Sequence, residues 1–238
     1  MKHESVYAIV MASGMNTRFG GSESKLLTKI NGKPIIEHLV DSLHDAGISN
    51  IIMVVGHSAN LIIKALKGKN IAFIHNNNYE RTEQIYSFSL AEPHLPKNST
   101  LLLTDGDIIV SSKTIRRIRM FNGNVISYDP KKKPTIRDMG LTVNAGYAHH
   151  LAYEEGDGTW NSITKMQGTF LQAFRKHTTQ LSSRTKNHSQ VLNELLQTFK
   201  IPALPVKGSW ININYREDLE IAKKIVNQQE GILFWCGS

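Results

Sequence analysis

Ser5-Val6-Tyr7-Ala8-Ile9-Val10-Met11 is a short run, apolar after its first residue, followed by a polar, glycine-bearing stretch from Ala12 to Lys33. Pro34 then opens a segment in which Ile35, Ile36, Leu39, Val40 and Leu43 recur at helical spacing, with Gly47 placed to stop it and Ile51 to Val55 as the next apolar run. Proline fits the start of a helix and glycine its end. The stretch therefore predicts a buried strand, a loop, a helix and a second buried strand.

The alternation continues outward. Helices are expected near Asn60 to Leu66, Glu83 to Glu92 and Ser112 to Met120, and strands at Ile71 to His75, Thr100 to Thr104 and Val125 to Tyr128. Strands that alternate with helices predict a three-layer α/β, Rossmann-like fold, a mostly parallel sheet with helices on both faces. Ligands then gather at the carboxyl ends of the strands. After Asp129 the rhythm loosens into a Pro/Lys loop, a strand Leu141 to His149, an irregular Gly-Asp-Gly stretch and helices near Thr169 to Lys176 and Gln190 to Phe199. A strand Ala203 to Val206, the segment Trp210 to Tyr215 and a helix Glu217 to Asn227 complete the pattern. We read 1–238 as a single domain, with a nucleotide-binding half (1–122) and an acceptor-binding half with a closing helix (123–238).

Charge and cysteine usage narrow the function classes. The formal charge of +8 suits polyanions in general, but the one dense basic run, Lys131-Lys132-Lys133, lies between prolines and reads as a solvated loop. With no aromatic-interleaved basic stripe, no nucleic-acid partner is expected. Cys236 is the sole cysteine, which excludes an intrachain disulfide and fits a reducing, cytoplasmic setting. No apolar stretch approaches the ~20 residues that span a bilayer, so no membrane partner is expected. The tail Gly231 to Trp235 reads as a packing segment or a homodimer contact. His149 and His150 are neighbours on a predicted strand, face opposite ways and are unsuited to one metal.

The loop after the first strand carries the chemistry. Ala12-Ser13-Gly14-Met15-Asn16-Thr17-Arg18-Phe19-Gly20, with Lys25 beyond it, offers backbone amides, a planar arginine fork and a mobile ammonium. That is an anion cradle or, on spacing alone, a surface loop. It is not a Walker loop, because Gly32-Lys33 is followed by proline, and it lacks dinucleotide-binding glycine spacing.

Ala12-Ser13-Gly14 through Thr17-Arg18, Ser24-Lys25-Leu26-Leu27 and Asn31-Gly32-Lys33-Pro34-Ile35-Ile36-Glu37 resemble the signature of the sugar-phosphate nucleotidylyltransferases. The resemblance is broadest to small cytidylyltransferases, including phosphocholine cytidylyltransferases, and to molybdenum-cofactor nucleotidylyltransferases. Gly47-Ile48, Val55-Gly56-His57 and the stretch Asn76 to Ser87 extend it; it runs over 5–110 and returns at 203–226. It implies a nucleotide-diphospho-sugar transferase fold and a magnesium-dependent transfer of a nucleotidyl group from a nucleoside triphosphate to a small phosphorylated or phosphonate acceptor. Arg18, Lys25 and Asp107 are then the catalytic set. Met11, Ala12, Ser13, Gly14, Met15, Asn16, Thr17, Asn76, Arg81, Ser87 and Asp105 bind the nucleotide. CTP is favoured because Tyr79, Arg81 and Ile85-Tyr86-Ser87 are most similar to the cytidylyltransferase version.

Asp105-Gly106-Asp107 ends the strand Leu101 to Thr104, where two carboxylates suit a hard divalent cation that also bridges phosphates, or else cap a turn before Ser111. The resemblance assigns the magnesium to Asp107, with Asn214 as a second ligand. Asn212 and Asn214 stand where the pattern expects carboxylates, and an amide oxygen is a weaker, neutral ligand. Asn16 also replaces a small residue of the family loop. For the acceptor, Tyr128, Asp129, Tyr147, Trp160 and Trp210 are candidate walls, and aromatic walls suit a quaternary ammonium such as choline or are plain core. Two rival readings stand beside this one. Asp-x-Asp at a strand end also serves metal-dependent glycosyltransferases, and the two asparagines suit a catalytically silent nucleotide-binding regulator.

Overall fold

The computed structural model describes residues 5–15, 19–20, 24–178, 184–206 and 210–235. In chain order the elements begin with β1 (Val6–Ala12), β2 (Lys29–Ile30), β3 (Lys33–Pro34), α1 (Ile35–Asp45), β4 (Asn50–Val55), α2 (Ala59–Ala65), β5 (Ile71–His75) and α3 (Gln84–Ala91). Then come β6 (Thr100–Asp105), β7 (Ile108–Val110), α4 (Ser112–Met120), β8 (Val125–Asp129), β9 (Met139–Asn144), β10 (Tyr147–Tyr153) and β11 (Gly158–Met166). The chain continues through α5 (Gly168–Thr178), α6 (His188–Leu196), β12 (Ile201–Pro205), β13 (Trp210–Asn212) and α7 (Asp218–Trp235).

One nine-stranded sheet runs β5-β4-β1-β6-β11-β8-β12-β10-β9, and β9 also pairs with β11. Strand β1 explains why the sheet is sandwiched. Alternate residues point to opposite faces, and every one from Ala8 to Ala12 is buried: Ala8, Val10 and Ala12 pack with Leu39, Leu43, Ile62 and Ile115, whereas Ile9 and Met11 pack with Phe88, Phe174 and Leu192. Thus α1, α2 and α4 cover one face and α3, α5 and α6 the other. Truncating a fully buried anchor such as Phe88 to alanine is expected to cost about 3–5 kcal/mol. A third apolar cluster fastens α7, through Ala222, Ile225 and Val226, to Ile109 of β7 and Ile211 of β13.

The expected α/β layers are present, and the parallel character is concentrated where the apolar runs are. Strands β5, β4, β1 and β6 are parallel neighbours, as are β8 and β12, while β11 is antiparallel to β6, β8 and β9. Two sequence expectations change here. The single strand Leu141 to His149 is a hairpin, because Ala145 and Gly146 both adopt positive φ, 50° and 82°, the geometry of a tight two-residue reversal. The stretch beyond the Gly-Asp-Gly loop is β11, buried along its whole length although Thr159, Asn161, Ser162, Thr164 and Lys165 are polar. Several of its polar groups are held internally: Ser127 Oγ donates to Asn161 Oδ1 at 2.7 Å, and Lys165 Nζ donates to the carbonyls of Arg119 and Phe121.

Candidate active site

Three chain segments meet at the carboxyl ends of β1 and β6. The Gly106 amide donates to the Met11 carbonyl at 2.9 Å, and the Ile213 amide donates to the Asp107 carbonyl, also at 2.9 Å. The residue between the two aspartates is closely packed: a Cβ on Gly106 would lie 3.1 Å from the Met11 carbonyl oxygen and 3.2 Å from Ile36 Cδ1. The strand and loop therefore lie close together, with Asp107 turned toward Lys25: Lys25 Nζ stands 2.5 Å from Asp107 Oδ2, and the lysine is 8% exposed. The aspartates do not cap α4, because the Ser111 side chain accepts from the Thr114 amide itself. A buried charged pair is costly to desolvate and is weak evidence of stability.

Lys25 and Asp107 line a cavity of about 680 Å³ together with Met11, Ala12, Ser13, Gly14, Met15, Arg81, Asp105, Trp160 and Asn214. The sequence-predicted catalytic lysine and aspartate, most of the predicted nucleotide loop and one acceptor candidate thus share one space. Asn76 and Ser87 take a supporting position. Ser13 Oγ is 2.8 Å from Ser87 Oγ, which accepts at 3.0 Å from Asn76 Nδ2, so this pair braces the loop from behind. Asn16, Thr17, Arg18 and Cys236 lie outside the described residues.

Asp105 occupies a different environment. Burial, with the neighbouring Asp107 charge second, raises its pKa to about 7, against a hydrogen bond from Ser162 and the Lys25 charge. Gln84 Nε2 donates to Asp105 Oδ1 at 2.7 Å, while Gln84 Oε1 accepts from the His188 amide at 3.4 Å. One glutamine thereby links α3, β6 and α6. His188 itself is 2% exposed, and burial lowers its pKa to about 4, so it is a neutral imidazole near pH 7.

The donors fit magnesium. Magnesium commonly takes one or two carboxylates and completes its shell with phosphates and water, and Asp107 lines the cavity. Beside Asp107, Asn212 donates through Nδ2 to Ser162 Oγ at 3.1 Å, leaving its buried Oδ1 without a protein partner. Asn212 and Asn214 both line the cavity. An orphaned amide oxygen next to a carboxylate is the kind of hard, neutral donor that a divalent cation satisfies.

Among the acceptor candidates, Trp160 lines this cavity and the others are placed elsewhere or engaged. Tyr147 is 43% exposed on β10, and Tyr128 belongs to the core on the opposite side of β8 from Ser127. Trp210 Nε1 donates to Asp129 Oδ2 at 3.1 Å, and the Lys132 ammonium lies 5.1 Å from the center of the Trp210 ring. This removes Trp210, Asp129, Tyr128 and Tyr147 from the main cavity wall; Trp210 lines a smaller neighbouring recess of about 270 Å³. Gln84, Arg137, Ser162 and His188 were not singled out in the sequence. His188 had one readable signal: Gln190 Oε1 accepts from the Asn187 amide at 2.8 Å, the N-terminal half of a capping box that starts α6 two residues before the expected helix.

A mixed α/β sheet brings the loop after β1, Lys25 and the two aspartates after β6 into one cavity. The MobA-like NTP transferase domain matches residues 8–127, and the chain belongs to that family. The bifunctional protein GlmU of Saccharophagus degradans is 29% identical over 115 residues, 47% of this chain; the matched part is 24% of the relative's length, so the chain spans about a quarter of it. Among solved structures, the inositol-1-phosphate CTP transferase of T. maritima superposes with a TM-score of 0.76 at 18% identity, covering 92% of this chain and 95% of that one. The CTP:phosphocholine cytidylyltransferase of Streptococcus pneumoniae gives 0.73 at 16% identity, covering 93% and 99%. At these identities the structural likeness concerns the fold. Among the described residues, no helix is long and apolar enough to cross a membrane.

Proposed function

We propose that the protein transfers a nucleotidyl group from a nucleoside triphosphate, CTP in the favoured reading, to a small phosphorylated acceptor and releases pyrophosphate. The observation that carries this reading is the Lys25–Asp107 pair beside the unpartnered Asn212 Oδ1, at the edge of the loop 11–15. An acceptor phosphate oxygen attacks the α-phosphorus in line with the departing pyrophosphate. That oxygen is already ionised near neutral pH, so the protein's task is to align two anions and offset their repulsion.

Lys25 screens the triphosphate, and the amides of residues 13–15 point phosphate oxygens toward it. Arg81 and Arg137 are the other lysine or arginine side chains among the described lining residues. Arg137 lies in the second half, its guanidinium 4.0 Å from the center of the Tyr215 ring, and we assign it to the acceptor phosphate. Asp107, with the amide oxygens of Asn212 and Asn214, would hold magnesium, which supplies charge neutralisation at the α-phosphate. The glycosyltransferase alternative is disfavoured by the family match, and the silent-regulator alternative by the donor oxygen that Asn212 presents.

The test is incubation of the protein with each labelled triphosphate, magnesium and a panel of phosphorylated alcohols and sugars, scored for pyrophosphate and for a labelled diphosphate ester. Release with CTP and one acceptor is the expected result. Triphosphate binding with no pyrophosphate from any combination would favour the silent regulator.

A further inference from the structure

One short turn reaches several parts of the proposed site, and a single carboxylate holds it. Residues 213–217 join β13 to α7. At one end the Ile213 amide donates to the Asp107 carbonyl at 2.9 Å. Further along, the Arg216 guanidinium donates to the Gly20 carbonyl at 3.3 Å and lies 5.5 Å from the center of the Phe19 ring, beyond the nucleotide loop. Between these contacts Asn214 lines the cavity, and the Tyr215 ring lies 4.0 Å from the Arg137 guanidinium. Glu217 Oε2 stands 3.9 Å from Arg137 Nη1, so Arg137 rests on two residues of the same turn.

The carboxylate belongs to Asp218, the first residue of α7, which lines the smaller recess and not the main cavity. Its Oδ2 accepts from the Asn214 amide and from the Tyr215 amide, each at 2.8 Å. An acidic side chain in the first turn of a helix commonly reaches back to one amide at the helix start, and that bond alone is a stability device. The bond from Tyr215 has this character. The bond from Asn214 lies one residue further from the helix, on the residue that lines the cavity. Charge-assisted bonds to backbone amides are stronger than neutral ones, and two of them to successive residues fix both peptide planes. The carboxylate thereby sets where the Asn214 side chain leaves the backbone and where the Tyr215 ring stands beside Arg137.

We propose that Asp218 is a positioning residue for both halves of the site: through the backbone of residues 214 and 215 it places the Asn214 amide for magnesium and the Tyr215 shelf for Arg137. The assignment rests on the nucleotidyl-transfer reading above. Asp218 touches neither substrate, so its removal weakens the metal requirement and acceptor binding together and leaves metal-free triphosphate binding alone. Partners that orient a metal ligand typically change metal affinity or activity by about 10- to 100-fold.

The experiment compares wild type, Asp218→Ala and Asp218→Asn, each also combined with Asn214→Ala and with Tyr215→Leu. The four nucleoside triphosphates are titrated calorimetrically with magnesium and in EDTA, and the tightest binder is carried forward. Asp218→Ala is expected to lose about tenfold of the affinity that magnesium adds, with the affinity in EDTA unchanged. In the pyrophosphate-release assay it is expected to raise both the magnesium concentration for half-maximal activity and the acceptor KM about tenfold. Asp218→Asn, which keeps an acceptor without the charge, should fall between. If Asp218 acts through its two neighbours, Asp218→Ala moves the magnesium midpoint no further in the Asn214→Ala background and the acceptor KM no further in the Tyr215→Leu background. A plain helix cap behaves otherwise: the melting temperature falls while both quantities stay near wild type, and that result overturns the proposal, as does a shift in only one of the two. Should Asp218→Ala fail to fold, Asp218→Asn decides it, since no shift in either quantity would remove the assignment. Should no acceptor turn over, the transfer reading fails separately, and the magnesium-dependent gain in triphosphate affinity then judges Asp218: its loss in Asp218→Ala sustains the proposal, and its retention, or its absence from wild type, overturns it.

Discussion

The two halves of the cavity are built in opposite ways. On the nucleotide side, chemistry sits at the ends of apolar parallel strands: β1 runs out into the loop 11–15, and β6 ends on Asp105. On the proposed acceptor side it sits along the strand itself, since Trp160 belongs to β11, all nine residues of which are buried. A strand end leaves the core pattern intact and places function in the loop. A strand that supplies the pocket wall has to mix polar side chains into a buried run, and the pattern that announces a strand disappears. In the proposed reading, backbone and charge serve the triphosphate and side-chain contacts the acceptor.

The sharpest way to break the comparison is to remove charge at the nucleotide side. Lys25→Met and Asp107→Asn, chosen to keep volume, are each expected to lower kcat/KM by on the order of 10³-fold in the pyrophosphate-release assay. Near-normal rates in either would reject the assignment of this pair. Neither variant should alter the ranking of acceptors, which belongs to the other wall.

A smaller effect distinguishes the two asparagines. Asn212→Ala is expected to raise the magnesium concentration for half-maximal activity by about 10-fold, given the magnitude typical of lost metal-site support. Asn214→Ala should act on the same quantity if the role the sequence resemblance gives it is right, and an unchanged magnesium titration would strike it from the ligand set. On the acceptor side, Arg137→Ala should raise the acceptor KM about tenfold and leave the triphosphate KM alone, measured by initial rates at saturating cosubstrate. A rise in the triphosphate KM instead would move Arg137 to the nucleotide half.

How legible each half was follows from the same contrast. The spacing of Ile35, Ile36, Leu39, Val40 and Leu43 gave α1, whose buried residues are those five, and the apolar runs gave β1, β4 and β6 nearly to the residue. Lys25 and Asp107 were readable because they flank those runs and match a family signature. β11 was not readable, because Thr159, Asn161, Ser162 and Lys165 find partners in distant segments such as Lys132, Ser127, Asn212 and the carbonyls of Arg119 and Phe121. Gln84 was hidden for a related reason: its two contacts, Asp105 and the His188 amide, are 21 and 104 residues away. Trp210 and Tyr147 were plausible acceptor walls by residue type alone, and only three-dimensional placement shows one paired with Asp129 and Lys132 and the other exposed.

The smallest predicted effect concerns stability, and it tests whether the two halves meet electrically at Asp105 and His188. Burial raises Asp105 to about 7, so in metal-free protein the folded state holds a proton that the unfolded chain releases near its ordinary value of ~3.9. The stability from this group is complete below that value and is lost as pH rises through about 7. Burial lowers His188 to about 4, so the unfolded chain binds a proton near ~6.5 that the folded state refuses; that stability is complete above ~6.5 and is lost as pH falls through about 4. Between about pH 4.5 and 6 the two contributions have opposite slopes and largely cancel. Asp105→Asn, whose side-chain oxygen still accepts from Gln84, removes the first and should make the variant progressively less stable on acidification relative to wild type, by about 1.4 kcal/mol per pH unit. His188→Gln should shift the slope the other way. Urea unfolding at three pH values in a chelating buffer measures both, and parallel pH profiles for wild type and Asp105→Asn would mean that Asp105 is ionised in the fold, with its charge already satisfied by Lys25.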